Sequence, residues 1–422
     1  MILRKKGATI SVIIMYITQS GKRGDTHMIN QKYVKLGKVR SVIRELFEYG
    51  NVRKAQIGAD KVFDFSLGNP SVPPPEEFGK VLSDLLRSAD PVSLHGYTSA
   101  QGAYPVRKAV SDYIKNTFGA PVSADKIYMT CGAAAALTIT LCALCNAGDE
   151  VITFTPYFPE YSVFVSQAGA TLVPVQTKQG TFDIDVAALT AALTQKTKAV
   201  IINSPNNPGG VVYSADSIKA LCAALQAHSS KCGSPVYLIS DEPYRELVYG
   251  GEEVPYVMNY YKNSIVCYSF SKSLSVPGER IGYIAVCDGA EGADDLYAAV
   301  CGAGRSLGYV CAPSLLQFAC AKLLGKTSDI SVYKRNRDRL CSALEEYGYE
   351  VVKPQGAFYL FVKAMEEDAA AFAERAKQFE LLLVPGDDFG CKGYVRIAYC
   401  VSPDMIERSL PAFRDLANSY KK

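Results

Sequence analysis

Along most of the chain, short runs of β-branched and apolar residues alternate with longer stretches whose apolar positions recur every three or four residues. Strands are expected over 127–130, 150–154, 171–175, 199–203, 236–240, 265–269 and 281–286, with helices such as 133–145 and 215–228 between them. The strand runs are apolar throughout instead of alternating, the pattern of strands covered on both faces. Strands and helices taking turns at this spacing imply βαβ units and a mostly parallel sheet sandwiched by helices.

After Pro313 the pattern changes. Helical stretches over 314–324 and 331–347 lead into strands at 350–353, 358–362, 381–384 and 394–398. A helix near 368–378 interrupts those strands, and a last helix runs from about 403 to 419. Helices grouped with a few strands form a separate, smaller α+β domain. The expected organisation is an extension without fixed structure over 1–27, a segment over 28–75 that joins the small domain, a large domain over 76–310 and a small domain over 311–422.

Composition narrows the class. Of 422 residues, 48% are hydrophobic and 21% charged, the balance of a globular enzyme and not of a disordered chain. No apolar run approaches the roughly 18 residues that cross a bilayer. Residues 1–27 carry Arg4, Lys5, Lys6, Lys22 and Arg23 against Asp25, a net +4 within a total of +3, so the rest is near −1 and offers no footprint for nucleic acid. The apolar run over 10–17 resembles a signal peptide, but polar and basic residues follow it and no small-residue cleavage site does. An extension ahead of a start at Met28 is the preferred reading. Cys142 and Cys145 have the spacing of a redox or zinc pair, yet no second pair of ligands exists, so both read as small hydrophobes on a helix. Thirteen cysteines, an odd count, fit a reducing cytoplasm.

In open α/β sheets ligands bind beyond the carboxyl ends of the strands. Those ends, at 130–134, 155–158, 204–210, 241–244 and 269–272, all carry polar or Gly/Pro-rich residues. Asp241 follows an apolar strand, where an acid can ligate a metal, act as a base, pair with a cationic heterocycle or simply cap the structure. Lys272 ends another strand, where a lysine is either a solvated charge or, if its amine is kept partly neutral, an imine-forming nucleophile.

In combination with its neighbours this pair resembles the class I/II aminotransferases of fold type I, the aspartate aminotransferase family. The strings that carry the resemblance are Ser204-Pro-Asn-Asn-Pro-Gly-Gly210, Ser240-Asp-Glu-Pro-Tyr244, Ser269-Phe-Ser-Lys-Ser273, Gly278-Glu-Arg-Ile-Gly282 and Tyr394-Val-Arg-Ile-Ala398, in that order. The resemblance implies pyridoxal 5'-phosphate, held on Lys272 as a Schiff base, with the freed amine later shuttling the proton at the substrate Cα. It implies that Asp241 pairs with the pyridinium nitrogen, that Tyr244 and Asn207 donate to the ring's phenolate oxygen, and that Phe158 stacks on the ring where relatives often place Trp. Backbone groups of Ala133 and Ala134 at a helix start, with Ser269 and Arg280, would hold the phosphate. Arg396 would clamp the substrate α-carboxylate, and the backbone of Gly68 would lie against the substrate. Tyr97 would reach the phosphate of a neighbouring subunit, making the protein a homodimer with a shared active site.

Other motifs fail. Gly304-Arg-Ser306-Leu-Gly308 fits a nucleophile-elbow pattern, but no His follows it. Three histidines, His27, His95 and His228, support neither a triad nor a zinc site, so no metal is expected. The reaction stays open between transamination, exchanging an amino group between an L-amino acid and a 2-oxo acid, and elimination by a lyase of the C–S type on the same fold. A ligand-sensing regulator would need a DNA-binding domain for which the residues before Asn30 are too few. Acidic (aspartate), alanine-like and aromatic donors all remain candidates; Arg305 is a positional candidate for a distal carboxylate.

Overall fold

The computed structural model describes residues 29–39 and 41–421; the extension expected over 1–27 lies outside the described residues. Seven strands form the central sheet: β2 (Ile127–Thr130), β3 (Glu150–Thr155), β4 (Thr171–Gln176), β5 (Thr197–Asn203), β6 (Tyr237–Glu242), β7 (Ser264–Ser269) and β8 (Gly282–Val286), preceded in the chain by the short β1 (Phe63–Asp64). Their spatial order is β2-β8-β7-β6-β5-β3-β4, and every pairing is parallel except those of β8 with β2 and β7. Helices cover both faces, and the sheet is the boundary between two apolar clusters. Leu238 of β6 belongs to one, with Val200 and Val266, and Ile239 to the other, with Ile201 and Ile265. That alternation explains why the strands read as unbroken apolar runs.

Beyond the sheet, β9 (Val351–Val352), β10 (Tyr359–Lys363), β12 (Val384–Pro385) and β13 (Tyr394–Ala398) make an antiparallel sheet in the order β12-β13-β10-β9, while β11 (Leu381–Leu382) pairs with β1. The single strand expected over 381–384 is therefore two, serving two different sheets and separated by Leu383. The helices Ser331–Tyr347 and Pro403–Asn418 pack this smaller body, whose core holds Phe65, Phe358, Phe372 and Phe413.

Two features depart from the expected division. The helix Ser314–Ala321 buries Leu316 and Cys320 in the core of the large sheet, so we place the start of the smaller body near Ser331, not at residue 311. The segment over 28–75 straddles both bodies. Its β1 and Phe65 join the smaller one, whereas Lys32 and Tyr33 bond Gln167, and Leu46 lies in the large core. Sequence periodicity describes elements, not the body each one packs against.

One buried ion pair sits behind β6. Arg245 bonds both carboxylate oxygens of Glu242, its Nη2 at 2.7 Å from Oε1, and its guanidinium lies beside the stacked rings of Phe118 and Tyr256. Removing one partner of such a pair strands a charge in the core. Replacing Arg245 with Met is therefore expected to lower stability by about 3–5 kcal/mol, read as a shift in the urea midpoint of the cofactor-free protein. An unchanged midpoint would show that the pair carries no weight.

Candidate active site

At the carboxyl end of the sheet lies a cavity of about 290 Å³ whose wall includes Gly68, Ala133, Ala134, Phe158, Asn207, Asp241, Tyr244, Ser269, Lys272, Arg280 and Arg396. Eleven of the twelve residues to which the resemblance assigns a role thus converge, drawn from positions 68 to 396; the twelfth, Tyr97, does not line the cavity, and neither does the positional candidate Arg305. Tyr97 is 99% exposed.

The strands explain the convergence. Asn203, Asp241 and Cys267 are register partners across β5, β6 and β7. Asp241 is the fifth residue of β6, not a residue after it, because the strand runs two residues past the expected end. Asn203 fastens the neighbouring loop: its Nδ2 donates to the Asp241 carbonyl at 2.8 Å, and its Oδ1 accepts from the Asn207 backbone N–H at 2.7 Å. Lys272 stands on a single helical turn, Phe270–Ser273, that springs from the end of β7. Arg396 is the middle residue of β13, so the smaller body supplies it.

Three charged groups line this wall with no counter-charge among the described residues: Arg396 and Asp241 are buried, and Lys272 is half-buried. Arg396 is 2% exposed; its Nη2 bonds the Ser66 carbonyl, its Nη1 donates to Asn207 Oδ1 at 3.3 Å, and its Nε has no partner among the described residues. Tyr359 and Phe389 lie against the guanidinium, with ring centroids 4.7 and 5.0 Å from its carbon. Asp241 is 4% exposed, and its Oδ2 accepts from the Tyr161 hydroxyl at 2.6 Å while Oδ1 is unpartnered among the described residues. Burial pushes the Asp241 carboxyl up to about 7, against the lowering pull of the Tyr161 bond. Lys272 Nζ donates to the Gly68 carbonyl at 2.7 Å, and burial, with the nearby Arg280 and Arg396 guanidiniums adding to it, pulls its amine down to about 8. A buried charge that nothing offsets costs several kcal/mol, so such groups mark places where a ligand supplies the missing charge.

A fourth feature suits an anion. The helix Ala133–Leu144 begins at Gly132 with no side-chain cap, leaving its first N–H groups for another acceptor. Arg280 holds the left-handed conformation at φ 50°, which costs an ordinary residue about 1 kcal/mol, and its Nη2 reaches back to the Cys131 carbonyl at 3.4 Å. A methyl group on Gly132 would come within 2.9 Å of that Nη2. Gly68 is tighter still, since a Cβ there would meet the Tyr359 hydroxyl at 1.9 Å.

Sequence reasoning missed Tyr161, Tyr359 and Asn203. Tyr359 OH lies 3.0 Å from Tyr244 OH and stacks by Arg396, and nothing in its local pattern distinguishes it from a core tyrosine. Tyr161 follows Phe158 by three residues, one helical turn, which is the only signal that could have pointed to it.

An amine pulled down by burial, a carboxylate without a cation, an uncapped helix start beside Arg280 and a buried guanidinium around one cavity suit an enzyme that handles amino acids through a carbonyl cofactor. Residues 60–413 match the family "Aminotransferase class I and II", and the chain belongs to that family, whose members use pyridoxal phosphate. It is similar to a solved aminotransferase from Eubacterium rectale at 53% identity and a TM-score of 0.92, covering 93% of this chain and 99% of that one. It is 30% identical to the aspartate aminotransferase of Thermotoga maritima over 85% of this chain and 92% of that protein. It also resembles a Thermus thermophilus aspartate aminotransferase solved with maleate, at 25% identity and a TM-score of 0.81, covering 94% and 100%.

The lowered amine gives a direct check. In cofactor-free protein, capture of an aldehyde at Lys272, trapped with borohydride, is expected to rise with pH and level off above about 8, where the amine has lost its proton. A curve still climbing through roughly pH 10 would mean an ordinary solvated lysine.

Proposed function

We propose that the cavity at the end of the sheet is the transamination site, with Lys272, Asp241 and Arg396 as its working groups. The observation that carries this reading is that three charges, two buried and one half-buried, share one wall and none pairs with another. The donor set fits pyridoxal phosphate part by part. Lys272 would hold its aldehyde carbon, Asp241 its ring nitrogen, Asn207 and Tyr244 its phenolate oxygen, and Phe158 the face of its ring. Ser269, Arg280 and the backbone of Ala133 and Ala134 would hold its phosphate. When bound, the group supplies an aldehyde for amines and a cationic ring that withdraws electrons from the bonds to Cα.

The remaining work falls to the chain. Arg396 takes the substrate α-carboxylate through its free guanidinium edge, and its contact with Asn207 sets the direction of approach. Lys272 Nζ, once displaced by substrate, is the base that takes the proton from the substrate Cα. An amine with a pKa of about 8 suits that task near neutral pH better than an ordinary lysine. The Gly68 carbonyl, with no Cβ beside it, receives the Lys272 ammonium and leaves room for Tyr359.

A second copy of the chain completes the site in this reading. Tyr97 lies on a loop fastened to the segment around residue 311, since Cys311 Sγ bonds the Thr98 carbonyl and Cys311 N the Ala100 carbonyl. Tyr97, Tyr309 and Val310 are all exposed there, a surface suited to a homodimer in which Tyr97 reaches the partner's phosphate site. Arg305, exposed and next to the Gly304 carbonyl that bonds Tyr309 N, belongs to the same region and would serve a dicarboxylate donor. Aspartate is the first donor to test, because curated relatives carry that name. No helix among the described residues is long and apolar enough to cross a membrane, and with its free thiols the protein fits the cytoplasm.

A panel of amino donors with several 2-oxo acids tests the reaction. Exchange of the amino group is expected; ammonia and pyruvate released without an acceptor would make the protein an elimination-type lyase. Arg396→Lys keeps the charge but loses the fork, and KM for donor and acceptor is expected to rise roughly ten- to a hundredfold. Unaltered KM values would remove Arg396 from substrate binding.

A further inference from the structure

Tyr161 is 1% exposed and does not line the cavity, yet its hydroxyl makes the one side-chain hydrogen bond that the Asp241 carboxylate has among the described residues, at 2.6 Å. It opens the helix Tyr161–Gln167, directly after the turn that carries Phe158, and the two rings meet edge to face with centroids 5.7 Å apart. One short segment therefore holds both the aromatic wall of the cavity and the partner of its carboxylate. With Oδ2 committed to the phenol, only Oδ1 is free to bond a ligand.

We propose that Tyr161 is a positioning residue that fixes the Asp241 carboxylate, and keeps it ionised, for a cationic ring nitrogen. The inference rests on the reading that Asp241 pairs with that nitrogen. A phenol donating to one oxygen stops rotation of the carboxylate about its last bond and favours its charged form. Without that donor, a carboxylate in an apolar surround takes up a proton more readily, and a neutral acid offers little to a ring cation. Tyr161 touches neither substrate nor cofactor in this scheme. Phe158, packed against its ring, would keep its place in a Tyr161→Phe variant, since only the hydroxyl is lost.

Equilibrium binding of pyridoxal phosphate to cofactor-free protein, followed by absorbance, separates the possibilities. Tyr161→Phe is expected to bind roughly ten- to a hundredfold more weakly, and Asp241→Asn more weakly as well. The double variant should bind no more weakly than Asp241→Asn alone, because the phenol acts only through the carboxylate. Wild-type affinity in Tyr161→Phe, or a loss that adds in full to that of Asp241→Asn, overturns the inference and leaves the Asp241 reading intact. Wild-type affinity in Asp241→Asn removes that reading, and the role of Tyr161 with it. Should Tyr161→Phe not fold, 3-fluorotyrosine at position 161, a stronger donor, is expected to tighten binding, and unchanged or looser binding counts against the proposal.

Discussion

The site depends on keeping three charges apart, two of them buried and one half-buried. Lys272, Arg396 and Asp241 share one cavity wall, and the simplest way to relieve their burial would be to pair an ammonium or guanidinium with the carboxylate. The fold prevents it by giving each a neutral partner. Lys272 rests on the Gly68 carbonyl, Arg396 on the Ser66 carbonyl and Asp241 on a phenol. Two of the three thus hang from one tripeptide, Ser66-Leu67-Gly68, which follows β1. Neutral partners satisfy hydrogen-bonding capacity while leaving the charge unspent, so each group stays available to a ligand.

That arrangement needs both bodies at once. The sheet contributes Asp241 and Lys272, the smaller body contributes Arg396 on β13 and Tyr359 on β10, and the strap between them brings residues 66–68. Gly68 is the closest point of approach, where any side chain would strike the Tyr359 hydroxyl. Cavity and core share construction rules: close packing, satisfied backbone, few voids. What differs is that here the packing fails to neutralise charge.

Much of this was legible in the sequence. The apolar strand runs announced a covered parallel sheet, and polar residues at successive strand ends pointed to the end at which a ligand sits. Strand ends were less clear, since Asp241 and Glu242 look like the polar residues that stop a strand but are the last two residues of β6. Packing partners were not legible: nothing in the pattern of 314–321 says that it joins the large core, and the strand expected over 381–384 hid a switch between sheets. Tyr359 and Tyr161 were invisible for a related reason. Neither tyrosine carries a local mark of its role, and only long-range geometry puts their hydroxyls beside Tyr244 and Asp241.

The adjacent acids of β6 show how a fold separates roles that a sequence runs together. Successive strand residues point to opposite faces. Glu242 shares the face of Leu238, where Phe118 and Tyr256 pack around Arg245, and that guanidinium neutralises it. Asp241 shares the face of Ile239 and Tyr237, where Tyr161 packs, and no cation among the described residues bonds it there. The same carboxylate chemistry, one residue apart, is structural on one side of the sheet and reserved for a ligand on the other. A slip of one residue in β6 would exchange those surroundings, placing Asp241 against Arg245 and leaving the cavity the longer Glu242. Glu242 and Arg245 satisfy each other behind the strand, so the acid of β6 that meets no cation among the described residues is the one that faces the cavity.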